Sequence, residues 1–307
     1  MNTIDNSEKC SVDVIIPTYK PGKGFVKMLE RLKEQHFELN KIIIMNTEKE
    51  FLDEENLINQ FDNLEIHHIK KEDFNHGLTR NSGVAFSNAD YIIFMTQDAM
   101  PVDKYLIDEL IRPFNDENVY LSYAKQLANK KCKYVEKYIR SFNYPSSDIV
   151  KSKDDLETMG IKTIFCSDVC AAYRRDKFIE LGEFSETDFN EDTFFAYKVI
   201  MNDKKVYYAS NARVLHSHNY SYMQQFKRNF AIGKSQYDFA YVFENIKSES
   251  EGIRMVKSAL SHVLRHGKWY MIPDLIISSG FKFIGYRLGK KYYKFSDKFV
   301  KKCTFSG

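Results

Sequence analysis

A chain of 307 residues, 43% hydrophobic and 28% charged, can bury a large core, so one enlarged domain or a domain with an appendage is expected. A net charge of +3 is too small to point to nucleic acid, and no apolar run is long enough to span a bilayer. Five scattered cysteines (Cys10, Cys132, Cys166, Cys170, Cys303) with no C-x-x-C pair suggest neither a disulfide framework nor a zinc knuckle, which makes a reducing cytoplasm the default.

After a polar lead that does not read as a signal peptide, Val12 to Pro17 is predicted as a strand ending in Pro17-Thr18-Tyr19. Phe25, Met28, Leu29 and Leu32 follow at helical spacing. Lys41–Asn46 and Leu64–Ile69 read as two more strands, with an acidic, Asn-rich helix or loop between them. This alternation predicts an α/β fold with a parallel sheet and right-handed crossovers. Gly22-Lys23-Gly24 lacks the third glycine of a dinucleotide fingerprint, and a P-loop is absent. Asp73 to Asn81 reads as a loop turning into a helix. Its free N–H groups and Arg80 suit a phosphate, although a helix capped by Asn75 or Thr79 with a solvated arginine explains the same residues.

Tyr91 to Met95 is an unbroken apolar run that stops at Thr96-Gln97-Asp98, as expected of a strand buried on both faces. Open α/β sheets bind ligands outside such strand tips, so Asp98 is placed for a metal or a sugar hydroxyl; a turn aspartate before Pro101 is the bland alternative. Lys104–Phe114 is predicted as an amphipathic helix, Val119–Ala124 as a short strand, and residues 129–162 as a mobile excursion over the site. Thr163–Tyr173 is strand-like and leads into a helix from Arg175 to Leu181. Glu191 and Asp192 open an aromatic-apolar helix, where the helix dipole stabilises acids whatever else they do. Beyond a strand at Lys205–Ala209, the alternation of Arg213–His218 sets His216 and His218 on one face, either to share a metal or as paired surface histidines.

From Trp269 onward, Phe281, Ile284, Leu288, Tyr292, Phe295 and Phe299 recur at three and four. Phe281 to Lys302 also carries eight Lys/Arg against the single acid Asp297. Such a basic, aromatic amphipathic helix lies on an anionic membrane surface, or packs on the catalytic domain with a solvated basic face.

Taken together, the ordered motifs between Val12 and Phe243 resemble an inverting family 2 glycosyltransferase of the GT-A fold, and within it the bacterial rhamnosyltransferases that build cell-surface polysaccharides. The resemblance implies a single Rossmann-like, mostly parallel sheet flanked by helices over residues 1–243. Its nucleotide-sugar half would cover 12–125 and its acceptor half 160–243, with residues 244–307 as a helical, membrane-associating extension. It also implies a site. Pro17-Thr18-Tyr19 would touch the nucleotide, Asn46 stands where the family usually has a base-holding acid, and His76, Gly77, Arg80 and Asn81 would lie under the nucleotide. Thr96-Gln97-Asp98 takes the place of the D-x-D metal motif with its first acid replaced, Gln97-Asp98-Ala99 being a form common in the rhamnosyltransferase branch. Glu191-Asp192 matches the pair that supplies the base, His216 the downstream metal histidine with His218 as fallback, and Tyr222–Phe243 the helix beside the acceptor.

The chemistry suits these residue types. Loss of a nucleoside diphosphate builds charge that a divalent cation neutralises, and Asp98 with His216 fits Mn²⁺ or Mg²⁺. The attacking hydroxyl must lose a proton, which assigns Asp192 as base and leaves Glu191 to orient the acceptor or the base. The expected reaction moves L-rhamnose from dTDP-L-rhamnose to a hydroxyl of a lipid-linked polysaccharide. The enzyme is expected in the cytoplasm, peripheral at the inner face of the cell membrane, with no nucleic-acid partner and a homodimer left open. The alternatives are a transferase for another nucleotide sugar of the UDP-hexose type and a non-catalytic nucleotide-sugar-binding protein of the same fold. The replaced acid and Asn46 favour the non-catalytic protein; Asp98, Glu191-Asp192 and His216 oppose it.

Overall fold

A computed structural model of the chain describes residues 10–244, 246 and 249–304, so the polar lead before Cys10 lies outside the described residues. The β-α alternation read from the first hundred residues forms β1 (Val12–Tyr19), α1 (Gly24–Lys33), β2 (Lys41–Thr47), α2 (Glu54–Ile58), β3 (Leu64–Ile69), α3 (His76–Val84) and β4 (Tyr91–Met95). β1 pairs in parallel with β2 and β4, and β2 with β3. The Val- and Ile-rich β1, β2 and β4 are covered on both faces, which is why they are apolar without alternation. Phe25, Met28, Leu29 and Leu32 of α1 pack over Val14, Ile16, Ile42 and Ile44, while Ile15 and Ile43 face the opposite layer with Val84.

The chain continues through β5 (Met100–Pro101), α4 (Leu106–Ile111), β6 (Val119–Leu127), α5 (Tyr134–Asn143), β7 (Ile149–Lys151), α6 (Leu156–Met159), β8 (Cys170–Arg174), α7 (Arg175–Glu180), α8 (Glu191–Met201) and β9 (Lys205–Leu215). The sheet of nine described strands runs β3-β2-β1-β4-β8-β6-β9-β5, with β7 on β9. The amino-terminal half is wholly parallel. β8 reverses between β4 and β6, and β5 and β7 run antiparallel to β9.

Three expectations change here. Residues 129–162 carry α5, β7 and α6, because Tyr134 and Tyr138 anchor the stretch through hydrogen bonds to His262 (2.9 Å) and Ser258 (2.5 Å) that a helical pattern search does not see. Only the end of Thr163–Tyr173 is strand; the part before Cys170 crosses the floor of a cleft. Lys205–Ala209 and the alternating segment after it are one strand ending at Leu215, so His216 and His218 lie just past its tip.

Four helices close the molecule with α9 (Tyr222–Asp238), α10 (Glu249–Arg265), α11 (Ile272–Gly289) and α12 (Asp297–Cys303). α11 seats directly on the backbone of α9. A Cβ at Gly285 would stand 2.3 Å from the Phe226 carbonyl oxygen, and one at Gly289 2.1 Å from that of Phe230. The expected single basic helix is therefore three pieces: α11 stops after Gly289, a short turn covers Tyr292–Lys294, and Ser296 caps α12. Among the described residues, no helix is long and apolar enough to cross a membrane.

Candidate active site

The tips of β1, β2 and β4 are stitched together by side-chain amides. Gln97 accepts a hydrogen bond from the Tyr19 N–H (2.9 Å) and donates to the Tyr19 carbonyl (3.0 Å), so it fixes the end of the strand that carries Pro17-Thr18-Tyr19. Asn46 is fully buried and spends its amide internally: Oδ1 accepts from Thr18 Oγ1 (3.0 Å), and Nδ2 faces the Glu48 carbonyl and His68 Nδ1 (both 3.0 Å). In place of a base-holding acid, Asn46 thus braces Thr18 and presents no free group outward. The Tyr19 ring meets Phe51 edge-on at 5.5 Å, and Lys20 and Lys71 lie over these rings, so an aromatic and basic rim surrounds the strand tips.

The segment leading into α3 begins with Asn75, whose side chain caps the helix by accepting from Gly77 N (3.0 Å) and Leu78 N (3.1 Å). A Cβ at Gly77 would meet the Ser185 carbonyl oxygen at 2.6 Å. Gly77 thus answers to close packing against the chain that leads into α8, and Asn81 holds that same chain through Phe184, donating to its carbonyl at 2.9 Å and accepting from its N–H at 3.2 Å. His76 faces the cleft, and burial followed by the Arg80 charge lowers its pKa to about 4, keeping the ring neutral.

Arg80 reaches from α3 to the start of α8 in the same layer. Its guanidinium donates to Glu191 Oε1 (3.0 Å) and lies 3.7 Å from Asp168 Oδ2, all three groups being buried. Asn190, in the left-handed region at φ 68°, turns the chain so that Glu191 and Asp192 open α8 toward this arginine. Asp192 Oδ2 accepts from the Asp168 N–H (3.2 Å) and Oδ1 from the Thr193 N–H (2.6 Å). Three carboxylates around one guanidinium cannot all ionise freely. Burial holds Asp168 well above the ordinary carboxylate range, and burial together with the Glu191 charge pushes Asp192 up to about 6, against the two N–H groups and Arg80.

Across the cleft, ligating atoms of Asp98, His216 and His218 lie within 4.8 Å of one another. His216 Nδ1 faces Gln126 Oε1 at 3.0 Å, which places the proton on Nδ1 and turns the Nε2 lone pair inward. His218 Nε2 lies 2.9 Å from that atom, and the Asp98 oxygens approach the two rings at 3.6 and 3.4 Å. Burial lowers the pKa of His216 to about 3 and also lowers that of His218, so both imidazoles are neutral near pH 7. Two ring nitrogens and a carboxylate converging in this way fit a divalent cation, whose ligands at about 2.1 Å in octahedral order stand about 3 Å apart. Thr96, in the place of the missing acid, supplies a buried hydroxyl with no hydrogen-bond partner.

Arg80, Asp168, Glu191 and Asp192 line the same cleft as His216 and His218, a space of about 510 Å³ between the sheet and the carboxyl-terminal helices. Residues 13–182 match the family described as Glycosyl transferase family 2. The chain belongs to glycosyl transferase family 2. It is similar over its length to the O-antigen chain rhamnosyltransferase RfbN of Salmonella typhimurium LT2, at 38% identity over 92% of this chain and 90% of the relative. The O-antigen chain rhamnosyltransferase WbaN of Salmonella anatum is 34% identical, with the same two shares covered. Among solved structures, the mannosyltransferase PcManGT from Pyrobaculum calidifontis in complex with GDP-Man and Mn²⁺ superposes with a TM-score of 0.65 at 11% identity, covering 94% of this chain and 89% of that one. S. aureus TarS 1-349 in complex with UDP-GlcNAc gives 0.52 at 14% identity, over 92% and 91%. This family 2 transferase thus has the GT-A fold, and it is a glycosyltransferase.

The sequence reading of the transferase missed Asp168, Gln126, Arg140 and Arg228. Asp168 sits beside Asp192 only because the chain before β8 passes under the start of α8. Gln126 orients His216 and also accepts from Arg140, a pairing set by β6 lying next to β9. Arg140 and Arg228 enter the cleft from α5 and α9. The sequence carries no local signal for any of the four.

Proposed function

We propose that this transferase moves L-rhamnose from dTDP-L-rhamnose onto a hydroxyl of a growing, lipid-linked O-polysaccharide, inverting the anomeric centre in a single displacement. One observation carries the mechanism: Asp192, with its raised pKa, lines the same cleft as His216 and His218, and Asp98 converges on those two rings. The acceptor hydroxyl gives its proton to Asp192 as its oxygen bonds to the anomeric carbon. The bond from that carbon to the diphosphate oxygen breaks, and its electron pair leaves on dTDP. Arg80 holds Glu191, and with it the first turn of α8, so that Asp192 keeps its aim. Asp98, His216 and His218 would hold Mn²⁺ or Mg²⁺, which when bound neutralises charge on the leaving diphosphate. Rhamnose as the sugar and O-antigen as the product rest on the names of the two full-length relatives.

Residues 1–243 are assigned to catalysis. The carboxyl-terminal helices would both wall the acceptor side, through Met255 and Lys282, and rest on an anionic membrane. That face displays Trp269, Ile276 and Phe283 at 70%, 63% and 62% exposure, with Lys290, Lys291, Lys294 and Lys298 nearby in sequence. A panel of nucleotide sugars assayed by nucleoside diphosphate release, with the product anomer read by NMR, tests the proposal. Turnover of dTDP-L-rhamnose with inversion is expected. Preference for a UDP-hexose would reassign the donor, and no release from any donor would favour a binding protein of the same fold.

A further inference from the structure

Beside the catalytic cleft lies a second, half-open cavity of about 450 Å³, bounded by α5, α9, α10 and α11. Its walls are mostly apolar, with Ile139, Val256, Ala259 and Leu275 among them. It is not separate from the first. Ile139, Ile161, Asn229, Gln236, Met255 and Lys282 line both, so the apolar space adjoins the cleft where Asp192 stands. Its outer rim carries Ile253 and Phe283, both exposed, and Ile276, Ile277 and Ile284 continue that apolar surface along α11.

Charge is placed at the inner end. Lys282, whose Nζ lies 3.5 Å from Glu136 Oε1, sits at the junction, and Arg140 and Arg228 line the cleft beyond it. A ligand with an apolar chain and an anionic head would lie with its chain between the helices and its head among these cations. The volume is within the range of about 300–1,000 Å³ that holds small-molecule ligands.

We infer that this cavity is the seat of the acceptor's lipid: an alkyl or isoprenyl chain enters past Ile253 and Phe283, and its phosphate or diphosphate rests by Lys282, leaving the attached saccharide to reach Asp192. The inference rests on the transfer reaction proposed above and names the part of the acceptor that the second cavity binds. It also gives α10 and α11 a role that a bare membrane contact lacks, because a resting surface needs no apolar cavity beside the cleft.

The test uses the full chain and a fluorescent farnesyl phosphate below its micellar concentration, followed by anisotropy, with inorganic diphosphate as competitor. Two variants probe the cavity. Ser279→Trp fills it from a half-buried wall position, and Ile253→Asp places a charge on the exposed rim, where folding is not at stake. Each should weaken the probe about tenfold or more, the effect of roughly two methylene groups losing apolar contact. Nucleotide binding and transfer to a water-soluble acceptor should be unchanged. The inference is overturned if wild type does not bind the probe, if both variants bind it as wild type does, or if inorganic diphosphate displaces it as well as unlabelled farnesyl phosphate does, which would leave an anion site alone. If the variants change only partition onto phosphatidylglycerol vesicles, the face is a membrane rest and the cavity binds no lipid. Absence of sugar transfer by wild type to any acceptor would instead remove the proposed reaction and is read separately from the probe.

Discussion

The amino-terminal half and the carboxyl-terminal helices spend their apolar residues in opposite ways. In β1, β2 and β4 nearly every Val and Ile is sealed between helical layers, and the polar groups at the strand tips are matched by Gln97 and Asn46. α11 instead buries Gly285 and Gly289 against α9 and turns Ile276, Ile277, Phe283 and Ile284 outward. A helix that contacts its neighbour through backbone frees its large side chains for something else. The first region is built to hold a site still, and the second to offer a surface.

The strongest way to sharpen this contrast is to remove chemistry from the rigid side. Asp192→Asn keeps the shape and abolishes the proposed proton acceptor, so the transfer rate should fall by about 10²–10⁴ while donor binding persists, as single-turnover kinetics and calorimetry would show. In wild type, Asp192 accepts a proton only when ionised. With its pKa up at about 6, turnover should decline as pH falls through about 6, well above the limb of an ordinary aspartate near 3.9. A rate flat down to pH 5 would remove Asp192 from the role of base.

Asp98→Ala should act on binding. The affinity for dTDP in the presence of Mn²⁺ should drop by at least the roughly 10–100-fold that disturbing a metal site's outer partners costs, with little change when metal is chelated. Calorimetry giving equal affinities would separate Asp98 from the metal.

On the other side of the comparison, Gly289→Leu forces a side chain into a 2.1 Å gap at the Phe230 carbonyl. A destabilisation of about 1–3 kcal/mol or more is expected, with hydrogen exchange rising in α9 and α11 before it rises in β1 or β2. Uniform loss of protection would show that the two halves unfold as one. The smallest effect belongs to the surface. Ile276→Glu with Phe283→Glu should reduce partition onto anionic vesicles roughly tenfold and leave the melting temperature unchanged, since both side chains already face solvent. Deleting the tail is a poorer probe, because it would strip α9 of its partner and remove Lys282 from the cleft wall.

Residue by residue, local pattern and tertiary placement divide cleanly. The strand tips, the loop-to-helix turn at Asn75 and the acids that open α8 were legible because each is a local rule: an apolar run that stops, a capping side chain, acids in a first turn. What those residues do to one another was not. Nothing in sequence spacing places Asp168 under Asp192, aims Arg80 at Glu191, or brings the His216–His218 pair up to Asp98, since those distances follow from β8 running antiparallel between β4 and β6 and from β9 lying against β6. The tail shows the same division. Helical periodicity marked an amphipathic segment from Phe281 to Phe299, but which face turned inward depended on Gly285 and Gly289 meeting the backbone of α9. The chain by itself fixed the hydrophobic period and the residue types. Only packing could decide which stripe was covered, because burial is a property of the neighbour as much as of the helix.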